Sequence, residues 1–376
     1  MYFCKNQPKL TMLSISEQEE RKTGKELYSY QKGAIQKIFE CFETAADDYH
    51  LLYQLPTGGG KTVIFSEIVS QYLKTHKKKV LVMTHRIELC KQTSSVLTEF
   101  GVQNKVIDSK ANLENQSQFD CFVAMVETLN NRLKDNKLDI SDIGLVIIDE
   151  AHYNSFTKLF KFFEKSFVLG VTATPLSSNI ELPMADNYNE LIVGESIESL
   201  IENEFLAQAN MFSYNVGLTS LVVGANGDYT VKSSEDLYTN NEMLSKLMQA
   251  YNERCEGKKT LIFNNGINTS LFVYDLFSNA GYPVAHLDNT ASKKERTQIL
   301  EWFKKTPNAI LTSVSILTTG FDEPTVECII LNRATRSLTL YHQMIARRSR
   351  KLKNKSNFQA IDLGNNVRRF GYWQEY

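Results

Sequence analysis

The chain has 376 residues, of which 42 % are apolar, so it is long enough for two or three domains with sizeable cores. No apolar run approaches the roughly 18 residues of a membrane helix, and the N-terminal stretch lacks the features of a secretory signal, which favours a cytoplasmic protein. The net charge of −1 excludes a uniformly basic surface for nucleic acid, although residues 333–355 are locally basic. Six cysteines without a CxxC pair argue against a disulfide framework and a zinc module.

After a polar extension at residues 1–23, short β-rich runs alternate with amphipathic stretches, which predicts an α/β fold with parallel sheets. The runs are apolar on both faces, as strands covered by helices on two sides must be. They form two similar series and therefore predict two similar domains, at residues 24–206 and 207–376, with a turn at residues 224–229. The predicted strands lie near Leu52, Val82, Val123, Ile147 and Leu169, and then near Ile262, Ala285, Ile310, Ile329 and Ile361.

The stretch LPTGGGKT at residues 55–62 follows the first predicted strand and precedes a predicted helix. Such a loop points successive backbone N–H groups at phosphate oxygens, and its glycines permit positive φ angles and close approach. Lys61 would reach the β and γ phosphates, and the Thr62 hydroxyl would coordinate Mg²⁺. A glycine-rich turn with an incidental GKT is the alternative, because the general pattern has glycine in place of Leu55. The other candidate phosphate-binding residues are Thr57, Gly58, Gly59 and Gly60.

A second stretch, LVIIDEAH at residues 145–152, places two acids directly after a buried strand. They would lie at the carboxyl edge of the sheet, where ligands bind in open α/β folds. Asp149 is suited to hold Mg²⁺ through its water shell, and Glu150 to orient and deprotonate the attacking water. The alternative is a strand that happens to be followed by an acidic turn. Incidental features of this kind account for either stretch by itself, but poorly for both stretches in this order. Together they predict a site for ATP and Mg²⁺.

These two stretches resemble motifs on the DEAD/DEAH-box side of helicase superfamily 2, and seven further stretches resemble the family's other motifs in its order. The likeness is strongest to the group of the repair protein RadD and the helicase subunits of type I and III restriction enzymes, and the tail IDLGNNVRRFG at residues 361–371 adds to it. The seven stretches are Tyr30-Gln31, THRIELCKQ at 84–92, AMVETL at 124–129, VTATP at 171–175, LIFNNGINTS at 261–270, LTTGFDEP at 317–324 and QMIARRSR at 343–350.

The resemblance implies two tandem RecA-like domains, each a mostly parallel sheet flanked by helices, with ATP in the cleft between them. It implies that Gln31 reads adenine and that Arg347 and Arg350 reach across the cleft to the γ phosphate. Standing alone, these arginines would be interpreted as a solvated basic helix face. The resemblance also assigns nucleotide contacts to Gly320 and Asp322. Coupling of the ATP state to domain movement falls to His152, Thr172, Thr174 and Gln343.

Nucleic acid is the partner that the resemblance implies, with DNA favoured over RNA and little sequence preference. Weaker candidates for contacts to backbone phosphates could equally be ordinary surface polar residues: Arg86, Thr128, Asn264 and Thr312. Ala346 and Arg348 stand where this group usually or often has glycine. Ala346 would be strained at a glycine-only backbone angle but harmless in a helix, which we expect. The chain also ends soon after the second domain, so we expect a protein partner, or the N-terminal extension at residues 1–23, to supply targeting.

The predicted function is an ATP-dependent DNA helicase or translocase in repair, recombination or defence. Three alternatives stay open: an RNA helicase, a nucleotide-binding regulatory or scaffold protein with weak ATPase activity, and a small-molecule P-loop kinase. The paired domains and the late arginines count against the kinase.

Overall fold

The computed structural model describes residues 26–46, 48–108, 118–135, 140–176, 183–314, 323, 325–346 and 357–376, and only the backbone of residue 154. The chain divides into two compact units, the first ending at Glu195 and the second starting at Ser196, with Thr57–Gly59 grouped with the second. The boundary expected between residues 206 and 207 differs from this division. Residues from Ser196 onward pack within the second unit, where the Ile197 N–H donates to the Tyr376 carbonyl at 3.3 Å. The extension expected at residues 1–23 lies outside the described residues.

The first unit is built on a seven-stranded sheet. Its strands are β1 (His50–Gln54), β2 (Lys79–Thr84), β3 (Asn104–Ile107), β4 (Cys121–Met125), β5 (Ile143–Asp149), β6 (Phe167–Thr172) and β7 (Glu190–Val193). They lie in the order β3-β4-β2-β5-β6-β1-β7, and every pair of neighbours is parallel. The carboxyl ends of all seven strands therefore share one edge of the sheet.

Helices cover both faces of this sheet. They are α1 (Ser29–Thr44), α2 (Lys61–Thr75), α3 (Ile87–Glu99) and α4 (Val126–Lys134), with 3₁₀ helices at Asn154–Phe162 and Met184–Asp186. Along β5, Leu145 and Ile147 pack into the core formed with α1, α2 and α3, whereas Val146 and Ile148 pack into the core formed with α4 and the longer 3₁₀ helix. Because both faces are buried, the strand is apolar at successive positions.

The second unit contains a six-stranded sheet. Its strands are β8 (Gln208–Ser213), β9 (Thr260–Asn264), β10 (Val284–Leu287), β11 (Ile310–Val314), β12 (Cys328–Asn332) and β13 (Asn357–Asp362). They lie in the order β10-β11-β9-β12-β13-β8, again with parallel neighbours throughout. Each unit thus has the doubly covered parallel sheet that the sequence predicts.

The helices of the second unit are α5 (Ile197–Glu202), α6 (Val231–Tyr238), α7 (Asn241–Arg254), α8 (Ile267–Asn279), α9 (Lys293–Lys305), α10 (Leu338–Ile345) and α11 (Asn366–Phe370), with a 3₁₀ helix at Trp373–Glu375. One core joins α7 and α8 to the middle strands. Within this core the fully buried Cys255 and Cys328 form a disulfide. The spacing of the cysteines argued against a disulfide framework, but it did not exclude one isolated disulfide. Among the described residues, no helix is both long enough and apolar enough to cross a membrane.

All ten strands predicted from the sequence are present, but β3, β7 and β8 were missed. The three missed strands each lie at an edge of a sheet. Edge strands are partly exposed, and only one of the four residues of β3 is buried and none of β7. Their sequences therefore lack the continuous apolar run that marks an interior strand.

Candidate active site

The glycine-rich loop between β1 and α2 has the backbone of a phosphate-binding turn. Gly58 and Gly60 adopt positive φ angles of 92° and 87°, whereas Gly59 does not, so two of the three glycines need their conformational freedom. Gly60 also caps α2, where its carbonyl accepts the Ile64 N–H at 3.0 Å. The unpaired N–H groups of the first turn of α2 therefore follow the loop directly, and they favour an anion.

Lys61 is the first residue of α2 and is only 8 % exposed. Its Nζ donates to the Leu55 carbonyl at 3.2 Å, so the ammonium lies against the beginning of the same loop. The next residue, Thr62, is half-buried. Thr57 Oγ1 is buried and has no hydrogen-bond partner within the described part of the chain. The Lys61 ammonium, the Thr62 hydroxyl and the unpartnered Thr57 Oγ1 are thus groups that suit a phosphate site.

Gln31, the expected adenine reader, packs against the phosphate loop. Its side chain is buried, with Oε1 accepting the Tyr28 N–H at 3.0 Å and Nε2 donating to the Tyr30 hydroxyl at 3.4 Å. Burial raises the pKa of Tyr30 to about 12, so this phenol is neutral and able to accept. A Cβ built on Gly60 would lie 2.5 Å from Gln31 Nε2, so this contact requires glycine at that position.

The acidic pair lies at the end of β5. This strand is separated only by β6 from β1, the strand that leads into the phosphate loop. Asp149 is 7 % exposed, and its Oδ1 accepts the Glu150 N–H at 3.0 Å. Burial and then the Glu150 carboxylate raise the pKa of Asp149, and the Lys61 ammonium only partly opposes them. Glu150 has a φ of 55°, a left-handed conformation that a residue with a side chain adopts at a cost. Buried charge and backbone strain at one point are typical of a functional site.

Hydrogen bonds join three buried side chains into one cluster: His152, Thr172 and Thr174. The Thr172 hydroxyl donates to the Thr174 carbonyl at 2.9 Å, so its contact of 3.0 Å with His152 Nδ1 requires that Nδ1 carry the proton. The same Nδ1 lies 3.5 Å from Glu150 Oε2. His152 therefore contacts both the expected base and the motif on β6. Its other nitrogen, Nε2, is buried and has no partner among the residues described.

Two residues beside this cluster, His85 and Tyr153, were not predicted from the sequence as part of the site. The ring of His85 lies 4.2 Å from that of Tyr153, which lies 4.3 Å from that of His152, measured between centroids. Burial lowers the pKa of His85 to about 4, although the Glu150 carboxylate opposes this. The rings of His85, Tyr153 and His152 therefore connect the segment that contains Arg86 to the acidic motif. Its only sequence signal is that each residue adjoins a motif already identified.

The four expected nucleic-acid contacts divide into two pairs. Arg86 precedes α3 and Thr128 lies in the first turn of α4, and both side chains are half-buried. Asn264 and Thr312 are 0 % exposed and hydrogen-bond to each other at 2.8 Å inside the second sheet. Neither of these two side chains can touch a backbone phosphate in this structure, so the expectation for this pair is corrected.

The remaining expectations concern the second unit. Gln343 lies buried in α10. Ala346 follows that helix with φ of −64° and ψ of −9°, so this position is right-handed and requires no glycine, as expected. Four expected site residues lie outside the described residues: Gly320, Asp322, Arg347 and Arg350.

The fold and the site define a P-loop nucleotide-binding protein with RecA-like sheets. A family model for the type III restriction enzyme res subunit matches residues 24–177, and one for the helicase conserved C-terminal domain matches residues 240–351. The chain therefore contains two domains of the helicase superfamily 2 type.

Relatives of known description agree with this assignment. IRC3 of Saccharomyces cerevisiae, named as an ATP-dependent helicase, is 29 % identical over 363 residues, which cover 89 % of this chain and 51 % of IRC3. The type I restriction enzyme EcoAI endonuclease subunit of Escherichia coli is 23 % identical over 87 % of this chain and 44 % of its own. The chain thus spans about half the length of these relatives.

A solved fragment of a type I restriction-enzyme HsdR subunit from Vibrio vulnificus has the same fold. It matches with a TM-score of 0.70 at 20 % sequence identity. The match covers 91 % of this chain and 66 % of that one.

Proposed function

We propose that this chain is a nucleic-acid-dependent ATPase that moves along or remodels DNA, as a superfamily 2 helicase or translocase. One observation carries the proposal: the buried Lys61 ammonium interacts with Asp149, whose pKa is raised, and the strained Glu150 adjoins Asp149. These groups suit the binding and hydrolysis of a triphosphate.

The residues at the site fit Mg²⁺ as well as ATP. A carboxylate and a hydroxyl are the hard oxygen donors that Mg²⁺ prefers, and Asp149 and Thr62 would supply them. When bound, the cation supplies neutralisation of charge on the β and γ phosphates. The pKa of Asp149 is raised in the protein without a cation. A bound cation would place a positive charge beside this carboxyl group and so favour its ionised form.

The chemical step falls to Glu150 as the base. It takes a proton from the attacking water. His152 Nδ1 lies 3.5 Å from its carboxylate and bonds Thr172, so the histidine links the base to the motif on β6. Arg347 and Arg350 of the second unit stabilise the charge that develops on the γ phosphate, which contributes about three to five decades in rate in related enzymes. In this proposal hydrolysis of the nucleotide is coupled to movement along the nucleic acid.

Contacts to nucleic acid go to backbone phosphates and carry little sequence preference. In the first unit Arg86 and Thr128 remain the candidates. DNA is favoured because one relative is named as a restriction enzyme subunit. A protein partner that supplies targeting belongs to the same proposal.

The decisive experiment measures ATP hydrolysis alone and with single-stranded DNA, duplex DNA or RNA, with Lys61→Ala as the inactive control. Stimulation by DNA supports the proposal, and stimulation by RNA alone replaces DNA with RNA as the track. Negligible hydrolysis under every condition would instead favour a regulatory protein or scaffold. Transfer of phosphate to a metabolite would show a kinase.

A further inference from the structure

The segments that follow β2 and β5 meet at the carboxyl edge of the first sheet. These strands are parallel neighbours, with Met83 paired to Ile148. His85 and Glu150 come two residues further along each strand, so the topology brings this histidine to the acidic motif. The Glu150 carboxylate is near enough to oppose the effect of burial on the pKa of His85. The candidate phosphate contact Arg86 and the proposed base thus stand on adjoining segments.

The loop at residues 84–86 is fixed to the start of α3. The buried Thr84 hydroxyl donates to the Arg86 carbonyl at 3.0 Å and lies 3.0 Å from Cys90 Sγ. The Cys90 N–H donates to the same carbonyl at 3.2 Å. These bonds join the loop to the first turn of the helix, so a phosphate that binds Arg86 would displace His85 with it.

Within the described part of the chain, packing holds the ring of His85. Both of its ring nitrogens are buried and have no hydrogen-bond partner there. Its ring lies 4.2 Å from that of Tyr153 at an interplanar angle of 34°, and the rings of Tyr153 and His152 lie 4.3 Å apart at 38°. Burial lowers the pKa of both histidines, so all three rings are neutral. They form a row in which a displacement of His85 passes by direct contact to its neighbours.

The far end of this row belongs to the turn that carries the base. The Tyr153 N–H donates to the Glu150 carbonyl at 3.2 Å, and His152 Nδ1 lies 3.5 Å from Glu150 Oε2. A left-handed φ of 55° at a glutamate persists only where the surrounding structure enforces it. The contact between Tyr153 and His85 is part of that surrounding structure, so it bears on the conformation of Glu150.

We propose that His85 and Tyr153 are positioning residues: their ring contact couples a nucleic-acid phosphate at Arg86 to the placement of Glu150. The inference rests on the proposed ATPase function and assigns the path by which nucleic acid stimulates it. Coupling through packed side chains typically changes a rate or an affinity by about 3- to 30-fold. Loss of the ring contact therefore lowers kcat with nucleic acid more than it changes KM for ATP.

The test measures ATPase kinetics with and without saturating single-stranded DNA, or RNA if only RNA stimulates the parent. His85→Leu and Tyr153→Leu each remove one ring of the contact, whereas Tyr153→Phe keeps both rings. We expect the ratio of stimulated to basal kcat to fall about 3- to 30-fold in the two leucine variants and to stay within about twofold of the parent ratio in Tyr153→Phe. KM for ATP should stay within about twofold in all three variants.

His76→Leu is the matched control. The ring of His76 stacks on that of Tyr72 with 4.1 Å between centroids, in the same unit but at the C-terminal end of α2. Lys61 begins this helix of 15 residues, so the control stack lies roughly 20 Å along the helix from the phosphate loop. Its ratio should equal that of the parent. A loss equal to that in His85→Leu would show a general effect of stacking on the fold and would overturn the inference.

A double-variant cycle with Arg86→Ala separates coupling from stability. Arg86→Ala alone should lower the ratio, and His85→Leu in that background should lower it no further, because the phosphate contact that the ring transmits is absent. A ring with only a structural role would lower the stimulated and the basal rates together and leave their ratio unchanged.

The outcomes distinguish this inference from the proposed function. A parent-like ratio in Arg86→Ala or in either leucine variant, or multiplied losses in the double variant, would overturn the coupling role while the ATPase proposal stands. Equal losses in Tyr153→Leu and Tyr153→Phe would do the same, since the second keeps the ring. A parent that neither DNA nor RNA stimulates would overturn both.

Discussion

Two groups of buried polar side chains, one in each unit, differ in the strain of the backbone that carries them. In the first unit, Glu150 has a left-handed backbone and His152 Nε2 lies buried without a described partner. In the second, hydrogen bonds run in one direction. The donors and acceptors follow in order: Asn332 to Asn264, Asn264 to Thr312, Thr312 to Ser270, Ser270 to His286 and His286 to Asp288.

That second chain ends on a suitable acceptor. Although burial pushes the other way, hydrogen bonds from Thr290 and His286 lower the pKa of Asp288, so it accepts as a carboxylate. Each donor along the chain therefore has its proton directed at the next acceptor. Unmet bonding alone does not separate the two groups, because Asn332 Oδ1 at the start of the second chain is also buried without a partner among the described residues. The backbone strain at Glu150 does separate them, so buried polarity marks a ligand site where such strain accompanies it.

The largest effect is expected at the strained end of the comparison. Glu150→Gln removes the base but keeps the size of the side chain, so hydrolysis should fall about 10²- to 10⁴-fold while ATP still binds. Steady-state ATPase rates and binding of a fluorescent ATP analogue measure the two effects. The control is Glu88→Gln, an exposed change on α3. A parent-like rate for Glu150→Gln would mean that the base is another residue.

Thr172→Val should damage both stability and coupling. It deprives His152 Nδ1 and the Thr174 N–H of their buried acceptor. We expect stimulation of the ATPase by DNA to weaken by about 0.5–2 kcal/mol of coupling free energy, alongside a loss of stability. The ratio of stimulated to basal rates measures it, with Thr75→Val at the exposed end of α2 as control. An unchanged ratio would assign Thr172 to architecture alone.

Thr312→Val should affect stability without affecting function. The change interrupts the hydrogen-bond chain and should destabilise the second unit by about 1–3 kcal/mol. Both tryptophans, Trp302 and Trp373, lie in this unit, so their fluorescence during urea unfolding reports it. DNA affinity should stay at the parent value, as it should in the exposed variant Thr297→Val. A selective loss of DNA affinity would restore Thr312 as a contact.

The smallest effect concerns Asp149 in the nucleotide-free protein. Its raised pKa means that the folded state holds a proton that the unfolded state releases, so stability falls as pH rises from the ordinary value of 3.8 through the raised one. Asp149→Asn should therefore stabilise the first unit by on the order of 1 kcal/mol, more at pH 8 than at pH 5. Hydrogen exchange of β5 measures this, against the exposed variant Asp142→Asn. A variant less stable than the parent at pH 8 would show that ionised Asp149 is favoured by the fold.

The sequence predicted those parts of the molecule that depend on local pattern. Interior strands such as β5 were found because both faces are apolar, whereas edge strands such as β7 have no such signal. The phosphate loop and the acidic pair were found because their chemistry requires fixed spacing. Asn264 and Thr312 were misjudged, since residue type does not reveal that neighbouring strands will bury and pair them. His85 and Tyr153 were missed because their contact arises only when distant segments meet.

The fit between Gln31 and Gly60 ties two parts of nucleotide recognition together. The glutamine amide fills the volume that any larger residue at position 60 would need. A bulkier residue 60 displaces the group that we expect to read adenine, and a shorter residue 31 leaves a void under the turn. Because the positive φ of Gly60 disfavours any side chain there in addition, a change at residue 31 cannot release position 60, and we expect the glutamine and the glycine to be retained together.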